Sequence, residues 1–346
     1  MSKKVKIGSL YVGGGEKIKV QSMTTFKPSN IEGTVNQIKA LQSAGCDIVR
    51  FSILNEEDAK AIKTIKNQVD IPLVADIHFN YKLAILAIEN GVDKIRINPG
   101  NIGGEDNVKA VADAVKAHNV AIRVGSNTGS IEKEFLSKYG KNEISLVESA
   151  LKNVSLLEKF GVNDIVISVK ASDVKLMIKS YQYLSSKTDY PLHLGVTEAG
   201  TEYDGIIKNS IGIGSLLANS IGDTIRVSLS ADPVKEVYAG IGILKALDLY
   251  DNFVKVVACP TCGRCEWDCM AFANKISTLV SNVKKDLKVA VMGCVVNGPG
   301  EAVDADLGIA GGKDFAVIFK NGQVYKKVSI IDAENEFIKE LKNCLK

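Results

Sequence analysis

Between residues 17 and 228, short runs of β-branched and aliphatic residues alternate with amphipathic stretches. The runs are Ile18–Ser22, Ile48–Ser52, Leu73–Ile77, Lys94–Asn98, Ala121–Gly125, Ile165–Val169, Leu192–Val196 and Thr224–Leu229. Most are apolar at consecutive positions rather than at every second one, the pattern of strands covered on both faces in a parallel sheet. The stretches between them repeat apolar residues at helical spacing: Ile31–Ala44, Glu57–Gln68, Tyr81–Asn90, Asn107–Ala117, Ser145–Phe160, Asp173–Ser186 and Asn209–Ile221, with Pro233–Leu247 after the eighth run. Eight strand–helix units over about 250 residues predict a (β/α)8 TIM-type barrel. A doubly wound sheet is the rival, but it would more often carry a glycine-rich phosphate turn after its first strand, and none is present. Gly45, Gly91 and Gly161 each stand between a helix and the next strand, where a C-cap glycine belongs. Ser172 or Asp173 is placed to cap the helix after the sixth strand.

The pattern changes near residue 250. A strand-like Phe253–Ala258 leads into a cysteine-rich stretch, followed by a helix Ala271–Ser281 and a strand Lys288–Met292. Phe315–Phe319 and Val324–Val328 flank Asn321-Gly322, a strong hairpin turn, and a helix Asp332–Leu345 closes the chain. The expected division is therefore a barrel over 1–249 and a smaller α/β domain over 250–346.

Composition narrows the function class. The chain is 46% hydrophobic and 24% charged, an ordinary globular profile. No apolar run approaches the ~20 residues of a membrane span. The first residues carry lysines with no apolar stretch behind them, so no secretory signal is expected and the protein is expected in the cytoplasm. An odd count of seven cysteines then reads as metal ligands or free thiols rather than disulfides. A net charge of +3, without basic clusters, gives no reason to expect nucleic acid.

Five of the seven cysteines lie between 259 and 294. The first group reads Cys259-Pro260-Thr261-Cys262-Gly263-Arg264-Cys265-Glu266-Trp267-Asp268-Cys269, and the second runs from Met292 through Cys294 to Glu301 in a Gly/Pro-rich loop. Thiolates so closely spaced suit a soft metal centre, either zinc or an iron–sulfur cluster. A ferredoxin run would have proline where Met270 stands, and a zinc ribbon would need a second Cys-x-x-Cys where Cys294 stands alone. A cluster is the favoured reading.

In a barrel, chemistry collects where strands end at the C-terminal face. Those ends bring Gln21 and Ser22; Arg50 and Ser52; Asp76 and His78; Arg96 and Asn98; Arg123 and Asn127; Ser168 and Lys170; His193 and Glu198; Arg226 and Ser228. Five cations on one face would repel each other unless an anion joined them, and the guanidinium fork suits phosphate oxygens. The inferred ligand carries more than one phosphate. The bland alternative pairs the cations with Asp76, Glu198 or Asp223. His193 is as well explained as a core hydrogen-bonder as a site residue, and His118 belongs on a helix surface.

Cys259–Cys262 and Gly293–Glu301, with Val20–Thr24, Val74–His78, Arg96–Gly103, Val169–Asp173, Leu192–Gly195, Thr197–Gly200 and Arg226–Leu229, resemble the 4-hydroxy-3-methylbut-2-enyl diphosphate synthase family of non-mevalonate isoprenoid synthesis. The resemblance covers nearly the whole chain, and the length is that of the two-domain bacterial form. It implies reductive ring opening and dehydration of 2-C-methyl-D-erythritol 2,4-cyclodiphosphate, an oxidoreductase reaction consuming two electrons. It implies a 4Fe–4S cluster held by Cys259, Cys262, Cys294 and Glu301. A hard carboxylate holds iron less firmly than thiolate, so Glu301 is the ligand able to yield its place. Arg96, Arg123, Lys170, Arg226 and Ser228 would hold the diphosphate beside Asn127, with Arg50, Asp76 and His78 lining the pocket. Glu198 would handle a proton. A homodimer follows, with the cluster domain of one subunit over the barrel mouth of its partner, and either ferredoxin or flavodoxin would supply the electrons. Cys265 and Cys269 stand outside the implied ligand set and read as inert core or surface thiols, the alternative being that they compete for iron and replace Glu301. The alternatives are a non-catalytic iron–sulfur electron-transfer protein and a zinc-dependent barrel hydrolase.

Overall fold

A computed structural model describes residues 1–129, 131–296 and 298–346, so Asn297 of the second cysteine motif lies outside the described residues. The chain divides into two compact units, Met1–Leu249 and Tyr250–Lys346.

The first unit opens with an antiparallel hairpin, β1 (Val5–Ile7) and β2 (Leu10–Val12), which the sequence pattern did not predict. Eight parallel strands follow: β3 (Lys19–Met23), β4 (Ile48–Ser52), β5 (Leu73–Asp76), β6 (Lys94–Ile97), β7 (Ala121–Asn127), β8 (Ile165–Lys170), β9 (His193–Leu194) and β10 (Thr224–Ile225). They pair in the order β8-β7-β6-β5-β4-β3-β10-β9. A parallel bridge between Ile167 and Leu192 closes the ring between β8 and β9. This is the (β/α)8 barrel that the pattern predicts. Val5, Ile7 and Val12 of the hairpin pack on Ile48, Val74, Ala121 and Val166, residues near the starts of four strands. The hairpin therefore stops the N-terminal end of the barrel and leaves the other end for chemistry.

Local capping follows the sequence. Asp173 accepts from the Leu176 N–H at 2.6 Å and starts the helix Val174–Ser185. Gly45, Gly91 and Gly161 have φ of 97°, 91° and 78°, a region that disfavours any side chain. Two strands are shorter than the pattern implies, because β9 and β10 leave the ladder after two residues each. A helix over Lys133–Tyr139 was not anticipated, and the helix after the seventh strand begins at Glu202 rather than near 209.

The second unit is a five-stranded sheet, β11 (Val254–Ala258), β12 (Leu287–Met292), β13 (Leu307–Gly311), β14 (Phe315–Lys320) and β15 (Gln323–Ser329), paired in that order. The first three strands are parallel and the last two antiparallel. Helices Cys269–Val280 and Ala333–Leu345 cover one face, with Phe272, Ile276, Phe337 and Leu341 in the core. The central strand β13 was not predicted, since Leu-Gly-Ile-Ala-Gly reads as loop. Aromatic rings explain its glycines. A Cβ on Gly308 would lie 2.1 Å from the Phe319 ring, and one on Gly311 would lie 2.4 Å from the Trp267 ring. No helix among the described residues is long and apolar enough to cross a membrane.

Candidate functional site

Register brings the strand-end residues together. Asp76 of β5 stands opposite Arg96 of β6, Arg96 opposite Arg123 of β7, and Asn127 opposite Lys170 of β8. Paired positions on parallel strands point to the same side, so these side chains turn inward as a set. One cavity of ≈140 Å³ is lined by Arg50, Asp76, His78, Arg96, Arg123, Asn127, Ser168, Lys170, Val196, Thr197, Arg226 and Ser228. All nine residues assigned from sequence to a substrate pocket are on that wall. Two roomier depressions, ≈290 and ≈330 Å³, are lined by residues such as Asp223 and Asp93. Their carboxylates are already engaged, Asp223 by Ser2 Oγ at 2.6 Å and the Leu192 N–H, and Asp93 by Lys66 and the Leu73 N–H.

Glu198 does not line the cavity. It is exposed on the loop immediately after Thr197, with φ of 53°. A left-handed glutamate is an uncommon, strained conformation of the kind that gathers at functional sites.

The charges in the cavity do not balance. Five cations face two carboxylates. Arg96 Nη1 lies 3.1 Å and Arg50 Nε 3.7 Å from Asp76, with His78 Nε2 also at 3.7 Å. The second carboxylate is Glu236, in the first turn of the helix Pro233–Ala246. It accepts from Arg226 Nη2 at 3.3 Å, from the Leu229 N–H at 3.0 Å and from Ser22 Oγ at 3.2 Å. Glu236, rather than Glu198 or Asp223, is thus the partner of Arg226. Sequence reasoning missed it because it lies on a helix, eight residues past Ser228. Burial alone would raise the Asp76 carboxyl. Arg50, a hydrogen bond from His78, Arg96 and Arg123 outweigh that and hold it far below the usual carboxylate range. Burial brings Arg50 down to about 10, against the pull of Asp76.

Arg123 is almost wholly buried, and its one side-chain hydrogen bond among the described residues is from Nη1 to Ser168 Oγ at 2.9 Å. Its Nε and Nη2, with Arg96 Nε and Arg226 Nε, are buried donors with no partner among the described residues. Buried donors are almost always satisfied, so several orphans around one cavity mark a place shaped for an acceptor-rich ligand. Lys170 lies across Gly195, where a Cβ would come 2.7 Å from Nζ and 2.6 Å from the Arg226 carbonyl, so only glycine fits at the end of β9. His193 is fully buried with Nδ1 2.8 Å from Thr224 Oγ1, so it is a core residue rather than part of the cavity wall.

In the second unit, the parallel pair β11 and β12 places Cys259 and Gly293-Cys294 side by side just past their C-terminal ends. The Cys259 N–H donates to the Val291 carbonyl at 3.3 Å, and the Gly293 N–H donates to Cys259 Sγ at 3.0 Å. An amide aimed at a cysteine sulfur is the hydrogen bond that stabilises a cluster-bound thiolate. Gly293 leaves room around the sulfurs, since a Cβ there would sit 3.3 Å from Cys259 Sγ and 3.0 Å from Cys265 Sγ. Cys262 is exposed three residues along the same loop, and Glu301 is exposed at the end of the short helix Gly298–Glu301. The donor types on these loops, three thiols and a carboxylate, with an amide already donating to the Cys259 sulfur, suit the chemistry of an iron–sulfur group. Among the described residues no three His, Cys, Asp or Glu side chains stand in ready-made metal-ion geometry. Cys269 is core: buried, its thiol directed at the Val291 carbonyl and pushed up to about 12 by burial, with Cys259 and Cys265 adding to the rise. Cys265 is half-buried beside Cys259, closer to the motif than an inert surface thiol would be.

Residues 2–241 match the family model described as GcpE TIM-barrel domain, and residues 255–343 match that of the GcpE protein C-terminal domain. The chain is 55% identical to the 4-hydroxy-3-methylbut-2-en-1-yl diphosphate synthase (flavodoxin) of Caldanaerobacter subterraneus subsp. tengcongensis, over 100% of this chain and 98% of that protein. Identity to the protein of the same name from Clostridium perfringens is 55%, over 98% of this chain and 97% of that one. For the Brevibacillus brevis protein it is 50%, over 98% and 95%. Among solved structures, Xanthomonas albilineans dihydropteroate synthase in complex with 7,8-dihydropteroate superposes with a TM-score of 0.52 at 13% identity, over 71% of this chain and 99% of that one. The Yersinia pestis dihydropteroate synthase gives 0.51 at 11%, over 72% and 100%. At such identity the likeness speaks for the barrel fold alone.

Proposed function

The chain belongs to the GcpE family, and on that premise we propose that it catalyses reductive ring opening and dehydration of 2-C-methyl-D-erythritol 2,4-cyclodiphosphate to 4-hydroxy-3-methylbut-2-enyl diphosphate. The observation that carries this reading is the barrel-mouth cavity, where five cations meet two carboxylates and four guanidinium nitrogens are buried without a partner among the described residues. Such a wall is costly without a polyanion and favourable with one.

Arg96, Arg123, Lys170, Arg226, Ser228 and Asn127 bind the diphosphate in this proposal. Arg50, Asp76 and His78 close the cavity on the side of β4 and β5. Asp76 and Glu236 fix the guanidiniums of Arg50, Arg96 and Arg226 in place, which leaves their remaining donors aimed before substrate arrives. Glu198, held in a strained backbone next to Thr197, is the carboxylate that moves or stabilises a proton near the reacting carbons.

The cofactor proposed is a 4Fe–4S cluster on Cys259, Cys262, Cys294 and Glu301. When bound, such a cluster would pass on, one at a time, the two electrons from the external donor that the ring opening consumes, and would offer a Lewis-acidic iron. The chain's own part at that site is the Gly293 amide on Cys259 Sγ and the small residue that leaves space for the group. Flavodoxin is the proposed electron donor, in keeping with the printed names of the relatives. The family resemblance adds a homodimer in which the cluster domain of one subunit covers the barrel of its partner, a cap that would keep water from the reduced site.

The test is anaerobic. The cluster is reconstituted, reduced flavodoxin and the cyclodiphosphate are added, and phosphorus NMR follows the ligand. The expected result is a linear allylic diphosphate in wild type and a large loss in Arg123→Ala. An intact, reducible cluster with no conversion in wild type would overturn the enzyme reading in favour of an electron carrier.

A further inference from the structure

One layer beneath the cavity lies a sixth cation that neither the sequence motifs nor the proposed chemistry uses. Lys94 opens β6, two residues before Arg96, and so points into the barrel on the same side but closer to its closed end. Its relative exposure is 0%. Its neighbours in register on β5 and β7 are Val74 and Ala121, which offer it no polar atom in their side chains. Its one side-chain hydrogen bond is to Gln21 Oε1 of β3, a long 3.4 Å. Among the described residues no carboxylate lies within ion-pair distance of it, and Asp76, one layer above, is taken by Arg50, Arg96 and His78.

The charged groups facing Lys94 are of its own sign. Burial pushes its amine well below the ordinary lysine value, and Arg123 of β7 and Arg50 of β4 push it further. Burial, with Arg123 leading the charges, acts in the same direction on Lys170 of β8. His193 of β9 is held neutral by burial, with Arg123, Lys170 and Lys94 adding to it. Burial and like charges also lower Arg50 and Arg123, but from the higher starting value of a guanidinium, so the arginines give up a proton less readily than the lysines. The strain of a crowded positive interior therefore falls on the two lysines, which shed protons more easily.

Resting on the cyclodiphosphate reading above, we propose that Lys94 is a positioning residue that takes up a proton when the anion fills the cavity, so that substrate binding is coupled to proton uptake in the barrel floor. The bound phosphates offset the field of Arg123 and Arg50, which is what disfavours a charge on Lys94 in the open pocket. Once charged, Lys94 acts on the ligand through Arg123, adding to the positive potential beneath it without touching it. Lys170, on the cavity wall, takes up its own proton in the same event. Each phosphorus of a cyclic diphosphate carries a single strongly acidic oxygen, so the ligand itself does not titrate near neutrality and the protons counted belong to the protein.

The experiment is isothermal titration of the oxidised, cluster-loaded protein with the cyclodiphosphate at pH 8, in buffers of differing ionisation enthalpy. The dependence of the heat on the buffer gives the protons bound. Wild type is expected to take up protons on binding and Lys94→Met measurably fewer, so the rise of Kd with pH should be shallower in the variant. Lys94→Arg, with its fixed charge, should lose the same proton while retaining more affinity at high pH than Lys94→Met. A purely structural lysine would weaken binding equally at every pH and leave the count unchanged, and that result in Lys94→Met or Lys94→Arg would overturn the proposal. If wild type fails to bind the cyclodiphosphate, the substrate reading is what falls. The proton count is then read with sulfate, a dianion that does not titrate in this range, and zero uptake with bound sulfate would sink the Lys94 proposal as well.

Discussion

Replacing Arg123 by methionine should make the ligand-free barrel more stable and its anion binding weaker. The residue is 1% exposed, and among the described residues its guanidinium donates one hydrogen bond and leaves two buried nitrogens unpartnered. A buried unsatisfied donor costs about 1–3 kcal/mol, and more when charged. Burial, Arg50 and Arg96 all disfavour the charge, and Asp76 offsets them only in part. Methionine fills much of the same volume without a charge. Against this stands the lost bond to Ser168, worth about 1 kcal/mol, because the Ser168 hydroxyl keeps only a 3.4 Å contact to the Val124 carbonyl. Buried ionic groups exchanged for packed apolar ones have given gains of about 1–4 kcal/mol. A net gain of about 2 kcal/mol would raise the barrel's melting temperature by roughly 4–8 °C. Affinity moves the other way. The loss of charge-assisted bonds to a phosphate, about 1.5–3 kcal/mol, weakens binding by roughly 10- to 150-fold. Thermal melts with and without the cyclodiphosphate read both effects, since ligand that raises the wild-type transition should raise the variant's far less at the same concentration. A variant less stable than wild type by 2 kcal/mol or more without ligand, yet equally protected by it, would refute the reasoning.

Two other predictions concern the remaining charges and the thiols. Asp76 is held below its ordinary value, so its contribution to stability is fully present above about pH 4 and is lost as pH falls further. Asp76→Asn should lose about 3–5 kcal/mol at pH 7 by stranding Arg50 and Arg96, and its acid unfolding curve should be flatter below pH 4; unchanged stability at pH 7 would refute this. Cys294→Ser should lose iron and sulfide after anaerobic reconstitution, whereas Cys265→Ser should retain both. The reverse pattern in a metal and sulfide assay would move the ligand set onto the thiol that stands beside Cys259.

Much of the fold was legible because its signals are local. The eight β-branched runs, the capping glycines and Asp173 each sit within a few residues of what they specify. The strand-end cations could be gathered from sequence because a barrel brings all its C-terminal strand ends to one face. The cysteine motifs stood out by their spacing alone. Other features had no local signal. The glycines of β13 make sense only once Phe319 and Trp267 are seen lying over them. The hairpin β1–β2 is too short to show a period, and its apolar residues matter because they stop the barrel.

The sequence by itself determined the alternation of strands and helices, the side chains that reach the barrel mouth, and the thiols available to a metal. Tertiary packing decided the rest. Closing the ring put Glu236 rather than Glu198 or Asp223 against Arg226 and sank Lys94 and His193 beneath the cavity instead of within its wall, and the packing of the second unit's sheet and helices set Cys265 beside Cys259 while Cys269 went into the core. The physical reason is that pattern along a chain fixes which way a side chain points. Burial, charge pairing and the stranding of a donor depend on which distant strands and helices come to lie around it.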